Sequence, residues 1–275
     1  MNGFIRVRAR TAFLHAGGRT IVGRIAEVLH RAGVVPYVVC PADLMADAAA
    51  AVADVSTTVT VVGEHSEALR WRLADAGNEL VLLAEADAVY DERLLREAAG
   101  WKRPARLVES GRGMGLSVHL ASERLNAGFD APSETGEPVD VSALPTYSLA
   151  LRRRQPLFRV SVKGADDLGH ARDVLARSAS KGHQEFAVHV LNRPAEVWLS
   201  RRIAESWITP NQLTGLCNLL AFIATFLFAT GSLWTGVVLA LAVGIVDGLD
   251  GRQARIQVRT SKLGELEHLL DKVYE

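Results

Sequence analysis

Asp247-Gly248-Leu249-Asp250-Gly251-Arg252-Gln253-Ala254-Arg255, followed by Gly264 and by Glu267-His268-Leu269-Leu270-Asp271, is the stretch on which the reading of this chain turns. It begins where an uncharged apolar run, Leu233 to Val246, ends. Asp247 and Asp250 are three residues apart, which on a helix puts both on one face. Carboxylates at a membrane edge are costly to desolvate, so they turn toward a polar cavity or a cation. Gly251 and Ala254 are small and let a bulky partner approach the backbone, while Arg255 offers a planar fork for a phosphate. Hard divalent cations take oxygen ligands and bridge to substrate phosphates. Two carboxylates, two small residues and an arginine therefore suit a metal-bound diphosphate. Alone, Asp-Gly-x-Asp-Gly would equally suit a helix end at a membrane edge with ordinary cap charges. A second carboxylate pair, Glu267 and Asp271 at i, i+4, turns the reading toward a site.

The stretch resembles the signature of the CDP-alcohol phosphotransferase (CDP-alcohol phosphatidyltransferase) family, D-x-x-D-G-x-x-A-R-x8-G-x3-D-x3-D. Asp247, Asp250, Gly251, Ala254, Arg255 and Gly264 meet its first half at each fixed position. The second half departs from it. Strict spacing brings His268 and Lys272 to the last two aspartate positions, whereas a shift of one residue brings Glu267 and Asp271 there with their gap kept. A protonated lysine cannot hold a cation, which favours the shifted register and leaves the third ligand open between Glu267 and His268. The resemblance implies two divalent cations, Mg²⁺ or Mn²⁺, held by Asp247, Asp250, Glu267 or His268, and Asp271. It implies Asp271 as general base toward an acceptor hydroxyl, and Gly251, Ala254 and Arg255 as the residues facing the CDP moiety. It further implies a CDP-alcohol donor, an alcohol or phospho-alcohol acceptor, release of CMP, a surround of membrane lipid, a homodimer, and a place in phospholipid or inositol-phosphate biosynthesis.

Working outward from this stretch, Leu213 to Thr230 is about long enough to cross a bilayer, for which roughly 20 residues are needed. Thr209-Pro210-Asn211-Gln212-Leu213-Thr214 opens it, similar to the family's Pro-Asn-x-(Ile/Leu)-Thr, and Gly231-Ser232 is an uncharged tip. Leu233 to Val246 returns. Arg193, Arg201 and Arg202 precede this hairpin and Arg252, Arg255, Arg259 and Lys262 follow it, so both ends are expected on the cytoplasmic side of the cell membrane. Arg259 and Lys262 suit plain positive-inside charge or the steering of anionic substrates. Ala195 to Trp207 has Val197, Trp198, Ile203 and Trp207 against Arg201, Arg202 and Glu205, the pattern of an interfacial helix. Its alternative is a helix packed on the soluble domain. Gly264 to Tyr274 starts a further helix. The family's fold has six spans, so a multi-pass protein is implied of which this sequence, with two spans and the start of a third, reads as a fragment.

Residues from about 11 to 180 read as an α/β domain. Ala12 to Gly18 is a short apolar run ending in glycines. Helices are expected at Gly23 to Ala32, Ser66 to Ala76, Glu92 to Ala99 and Asp166 to Ser178, and strands at Val34 to Cys40, Thr57 to Val62 and Leu80 to Leu83. Their alternation implies a mostly parallel sheet covered on both faces, with ligands beyond the C-terminal strand ends, where Gly17-Gly18 and Asp87 fall. Leu82 to Asp91 resembles the strand of sugar- and inositol-phosphate nucleotidyltransferases that ends in a metal-binding aspartate, here Asp87. Their phosphate-gripping loop is reduced to Gly17-Gly18-Arg19, with Val22-Gly23-Arg24 where a lysine and proline belong. That departure implies a domain that keeps the fold without the transfer chemistry. Residues 100–145 say little beyond a turn-rich loop at Pro132 to Pro138, and Lys181 to Val190 reads as an extended or partly helical link.

The 275 residues carry equal numbers of acidic and basic side chains, and the pI of about 7.1 gives no case for nucleic acid. A mean hydropathy of +0.13 beside 23% charged residues comes from the apolar last quarter. Cys40 and Cys217 read as buried thiols outside any disulfide or zinc framework. Arg6, Arg8 and Arg10 break up the N-terminus, no apolar signal-peptide core follows them, and the N-terminal part is expected to stay cytoplasmic. The expected division is a Rossmann-like α/β domain at 1–180, a link and juxtamembrane helix at 181–209, and an all-α transmembrane unit at 210–275. Three functions fit: a membrane CDP-alcohol phosphotransferase fused to a nucleotidyltransferase-like domain, a membrane-anchored nucleotidyltransferase, and a membrane-anchored non-catalytic scaffold. The first architecture resembles bifunctional enzymes that make CDP-inositol and join it to inositol phosphate.

Overall fold

The computed structural model describes residues 1–129, 136–149, 151–180, 193–206 and 208–258. The chain forms two compact units, residues 1–146 with 155–171, and residues 147–154 with 172–275.

The first unit is built on a seven-stranded sheet. In chain order its elements are β1 (Asn2–Arg6), α1 (Ile21–Arg31), β2 (Val35–Cys40), α2 (Met45–Ala51), β3 (Thr60–Gly63), α3 (Glu67–Ala76), β4 (Leu80–Glu85), β5 (Ala88–Tyr90), α4 (Glu92–Gly100), β6 (Ala105–Glu109), β7 (Arg112–Leu120), α5 (Ala121–Ala127) and β8 (Glu137–Asp140). The sheet order is β3-β2-β1-β4-β7-β6-β8. β1 runs parallel to both β2 and β4, and β2 parallel to β3, whereas β7 lies antiparallel to β4 and β6. The parallel half is the expected alternation of strands and helices.

Four stretches read differently in the fold than in the sequence, the first being Met45–Ala51, where no element was expected and α2 forms. The central strand β1 occupies the first residues, where alternating arginines gave no strand signal. Arg6 is buried there because its guanidinium meets Glu85 at the end of β4 and donates to the Phe129 carbonyl at 3.2 Å. The silent region 100–145 holds the antiparallel pair β6 and β7. Part of the expected Pro132 to Pro138 loop is strand β8, where Pro138 lies opposite Arg106 on the sheet's edge, a place that tolerates a residue without an N–H. Outside the sheet, β11 (Arg159–Ser161) pairs antiparallel with β5.

The second unit contains the small hairpin β9 (Tyr147–Ser148) and β10 (Arg153–Arg154), and three helices named α7 (Arg193–Ile203), α8 (Pro210–Ala229) and α9 (Leu233–Gln257). α6 (Ala165–Ser178) is shared, its first residues in the first unit and the rest in the second. α8 and α9 are long and apolar enough to cross a membrane, and few of their residues are buried in the protein. Phe222 is 77% exposed, Phe226 63% and Trp234 85%. In a water-soluble helix pair such residues would face a core. α9 runs unbroken from the tip at Gly231-Ser232 through Asp247 and Asp250, so the acidic motif is a continuation of the apolar helix. Near the tip, a Cβ on Gly236 would stand 2.8 Å from the Phe228 ring, so glycine there permits the close approach of the two helices.

Candidate functional site

α8 starts on a reciprocal cap. The Thr209 hydroxyl accepts the Gln212 N–H at 3.3 Å, and the Gln212 side-chain oxygen accepts the Thr209 N–H at 2.9 Å. Pro210 occupies the first turn, where its missing N–H costs nothing. This fixes the phase of the helix, so that Thr214 and Cys217 meet α9. The Thr214 hydroxyl donates to Asp250 Oδ2 at 2.8 Å. Cys217 is buried, with its sulfur 4.0 Å from Asp247 Oδ1 and 3.9 Å from the Val243 carbonyl. Asp247 and Asp250 thus both lie toward α8, on one face of α9 as their spacing requires. Asp250 Oδ1 also accepts the N–H of Gly251.

The other motif residues are on the same helix. Gly251 lies against the Arg255 guanidinium: a Cβ there would be 3.3 Å from one of its nitrogens. Arg255 donates from Nε to the Ala179 carbonyl at 2.8 Å. Ala254 is half-buried on the last turns of α9. Gly264, Glu267, His268, Asp271 and Lys272, together with Arg259, Lys262 and the further helix, lie outside the described residues. So does the link at 181–190.

Two carboxylates one turn apart are oxygen donors of the kind a hard divalent cation takes. Among the described residues no group of three His, Cys, Asp or Glu side chains could hold a metal ion. Asp247 and Asp250 fit as part of a ligand set that other residues would have to complete.

Reasoning from the sequence missed the residues that hold this helix. Thr214 had a signal, since it ends the Pro-Asn-x-Leu-Thr run. Glu196 of α7 had none: it is an acidic residue on a helix whose pattern is otherwise that of apolar residues set against arginines. In the structure Glu196 and Ser200 of α7, and Ala204 just past its end, are buried at four-residue intervals, while Trp198 is 59% exposed. This buried stripe is polar because Glu196 Oε2 accepts from Arg252 at 2.9 Å, with both side chains buried.

The edge of the first unit is arranged otherwise. Gly17 and Gly18 have φ of 69° and 74°, the left-handed region that glycine enters without penalty, and they turn the chain into α1. Arg19 beyond them points into the domain, donating to the Asp54 carbonyl at 3.1 Å and pairing with Glu27 at 3.5 Å. Asp87 accepts from Arg159 at 2.7 Å, and Arg159 lies over the Tyr90 ring, 5.7 Å from its centre. Burial alone would pull the Arg159 guanidinium down, but Tyr90 and Asp87 beside it hold it above its ordinary value. Burial pushes the Tyr90 phenol up, and its hydroxyl lies within 3.2 Å of the carbonyls of Glu85, Met114 and Gly115. Glu85 is engaged by Arg6 and by Arg8, the latter at 3.4 Å.

A "bifunctional IPC transferase and DIPP synthase" of Thermococcus kodakarensis is 36% identical over 109 residues, which are 39% of this chain and 25% of that protein. One of the same name from Aquifex aeolicus is 33% identical over 137 residues, 47% of this chain and 32% of that protein. The chain thus spans about a third or less of the curated relatives it matches. Among solved structures, a Bacillus anthracis protein described as a glucose-1-phosphate thymidylyltransferase aligns with 66% of this chain and 97% of its own, at 10% identity and a TM-score of 0.46. The 4-diphosphocytidyl-2C-methyl-D-erythritol synthase of Anaerococcus prevotii aligns with 63% and 97%, at 10% identity and a TM-score of 0.42. Residues 207–274, which contain α8, α9 and the acidic motif, match the CDP-alcohol phosphatidyltransferase family.

Proposed function

We propose that this chain is the cytoplasmic domain and first membrane hairpin of a CDP-alcohol phosphotransferase. The observation that carries the reading is the pair Asp247 and Asp250 on one face of α9, with Thr214 orienting Asp250, inside the segment that matches the family. In the proposed reaction the acceptor hydroxyl attacks the phosphorus that bears the donor alcohol. A new P–O bond forms to the acceptor, the P–O bond to CMP breaks, and CMP leaves. Two divalent cations, Mg²⁺ or Mn²⁺, when bound, would neutralise the diphosphate and stabilise the leaving phosphate. Asp247 and Asp250 would hold them from α9, with Glu267 or His268 and Asp271 completing the set. Asp271 would take the proton of the acceptor hydroxyl. Gly251 and Ala254 leave room for the CDP moiety, and Arg255, aimed by the Ala179 carbonyl, presents its outer nitrogens to a phosphate. The names of the relatives suggest inositol-phosphate chemistry for donor and acceptor. Basic residues flanking α8 and α9 support an orientation with this site on the cytoplasmic side of the cell membrane; a multi-pass, lipid-surrounded homodimer is what the family resemblance implies.

For the first unit we propose a scaffold role. Asp87, the position at which similar domains hold a metal, is neutralised by Arg159, and Arg19 of the glycine turn is spent inside the domain. One experiment tests both proposals. CMP release from a CDP-alcohol is measured in membranes holding the full-length protein. Asp250→Asn, which keeps the shape and removes a charge from the cation's shell, is expected to lower release at least about 100-fold, several kcal/mol of barrier. Asp87→Ala is expected to leave both this release and CTP-dependent pyrophosphate release at the wild-type level. Unaltered turnover by Asp250→Asn would remove the phosphotransferase reading. Pyrophosphate release that Asp87→Ala abolishes would show a working nucleotidyltransferase.

A further inference from the structure

α9 has a difficulty that its sequence does not solve. From Leu233 to Val246 it is uncharged around its whole circumference, so apolar contact alone leaves its rotation about its own axis weakly specified. Yet Asp247 and Asp250 act at one place only if that rotation is fixed. Besides Thr214 and the Ala179 carbonyl, the polar contacts that hold it come from α7 and from the turn after it. Glu196 of α7 binds Arg252 at 2.9 Å. The space for its carboxylate is made by Gly248, where a Cβ would stand 2.6 Å from Glu196 Oε1. Gln253 donates to the carbonyls of Ile203 at 2.8 Å and Ile208 at 3.4 Å. At about 100° per residue, Gly248 and Arg252 lie on a different face of α9 from Asp247 and Asp250. They also fill positions that the D-x-x-D-G-x-x-A-R pattern leaves variable.

Building on the phosphotransferase reading, we propose that Glu196 is a positioning residue for the cation-binding face. Its buried pair with Arg252 locks the rotation of α9, and so the direction in which Asp247 and Asp250 point. A buried ion pair is a poor source of net stability, because desolvating two charges offsets most of their attraction. Its best-attested use is to fix register. Here it joins two helices at the one place where rotation matters, beside carboxylates that must share a ligand. Thr214 holds Asp250 from the α8 side and Glu196 holds the helix from the α7 side, so the acidic turn is gripped on two flanks.

The test is Mn²⁺ binding, read by the loss of the free-ion magnetic resonance signal, in the full-length protein in detergent. Wild type is expected to bind, and Asp250→Asn to bind far more weakly. Glu196→Gln and Arg252→Gln, each verified as folded by circular dichroism, are each expected to weaken Mn²⁺ binding about tenfold. The swapped double variant Glu196→Arg/Arg252→Glu is expected to recover most of that loss, which ties the loss to the pair itself, while unchanged circular dichroism of the single variants separates weakened binding from unfolding. If Glu196→Gln does not fold, Arg252→Lys takes its place, since it keeps the charge and loses the fork. Folded single variants that bind Mn²⁺ like wild type would overturn the positioning role, as would a double variant no better than the singles. Wild-type binding that is indifferent to Asp250→Asn would instead remove the phosphotransferase site itself, so the two failures are distinct.

Discussion

Asp247 and Asp250 were legible as a pair because helix geometry leaves little choice: three residues apart, uncharged chain before them, one face. Their supports were less so: Thr214 was marked only as the end of the Pro-Asn-x-Leu-Thr run, and Glu196, on another helix, carries no local mark of what it will meet. The second half of the motif gives the sharpest test at this scale. In the shifted register Asp271 is the base and Lys272 its neighbour, so Asp271→Asn is expected to cut CMP release by at least about 100-fold and Lys272→Ala by less than about threefold. The strict register predicts the reverse. Severe loss at Lys272 with near-normal turnover at Asp271 would show that the one-residue shift is mistaken.

At the scale of elements, β2, β3, β4 and the helices α1, α3 and α4 were legible because β-branched runs and helical periodicities stand between glycines, whereas the alanine-rich α2 carries no apolar periodicity and was not. β1 was not, since Arg6 reads as surface and only its pairing with Glu85 makes it a core strand. β7 was hidden for a related reason: its glycines and polar residues, His119 among them, look like loop. His119 is fully buried beside Ser117, whose hydroxyl is 2.9 Å from Nε2. Burial first, and Arg124 second, push its pKa down to about 4. A free histidine titrates near 6.5. Above that value both folded and unfolded chains are neutral here, and the contribution is fully present. As pH falls from about 6.5 to about 4, only the unfolded chain gains the proton, and stability drops by about 3 kcal/mol in total. Urea midpoints across this range are expected to fall more steeply for wild type than for His119→Asn. Parallel curves would show that the β7 core takes up the proton while folded.

For the whole molecule, the sequence told apart an α/β half and an apolar half, since composition shifts sharply after Thr209. It could not tell that α7 turns a glutamate inward, because that depends on an arginine more than 50 residues away in the sequence. The proposed orientation is testable at the same scale. A cysteine replacing Ser232, at the tip between α8 and α9, is expected to react with an impermeant thiol reagent added outside intact cells. One replacing Arg202, on the exposed side of α7, is expected to react only after the membrane is opened. Labelling of the Arg202→Cys variant from outside would put the aspartates on the wrong side for a cytoplasmic donor. The path of the chain between its compact units has a consequence of another kind. It passes from one to the other at 146/147, returns at 154/155 and leaves again at 171/172. Two genes joined end to end would give a single passage. With three, no single recombination point can exchange one half for a homologous one without stranding either the β9–β10 hairpin or residues 155–171 among foreign neighbours.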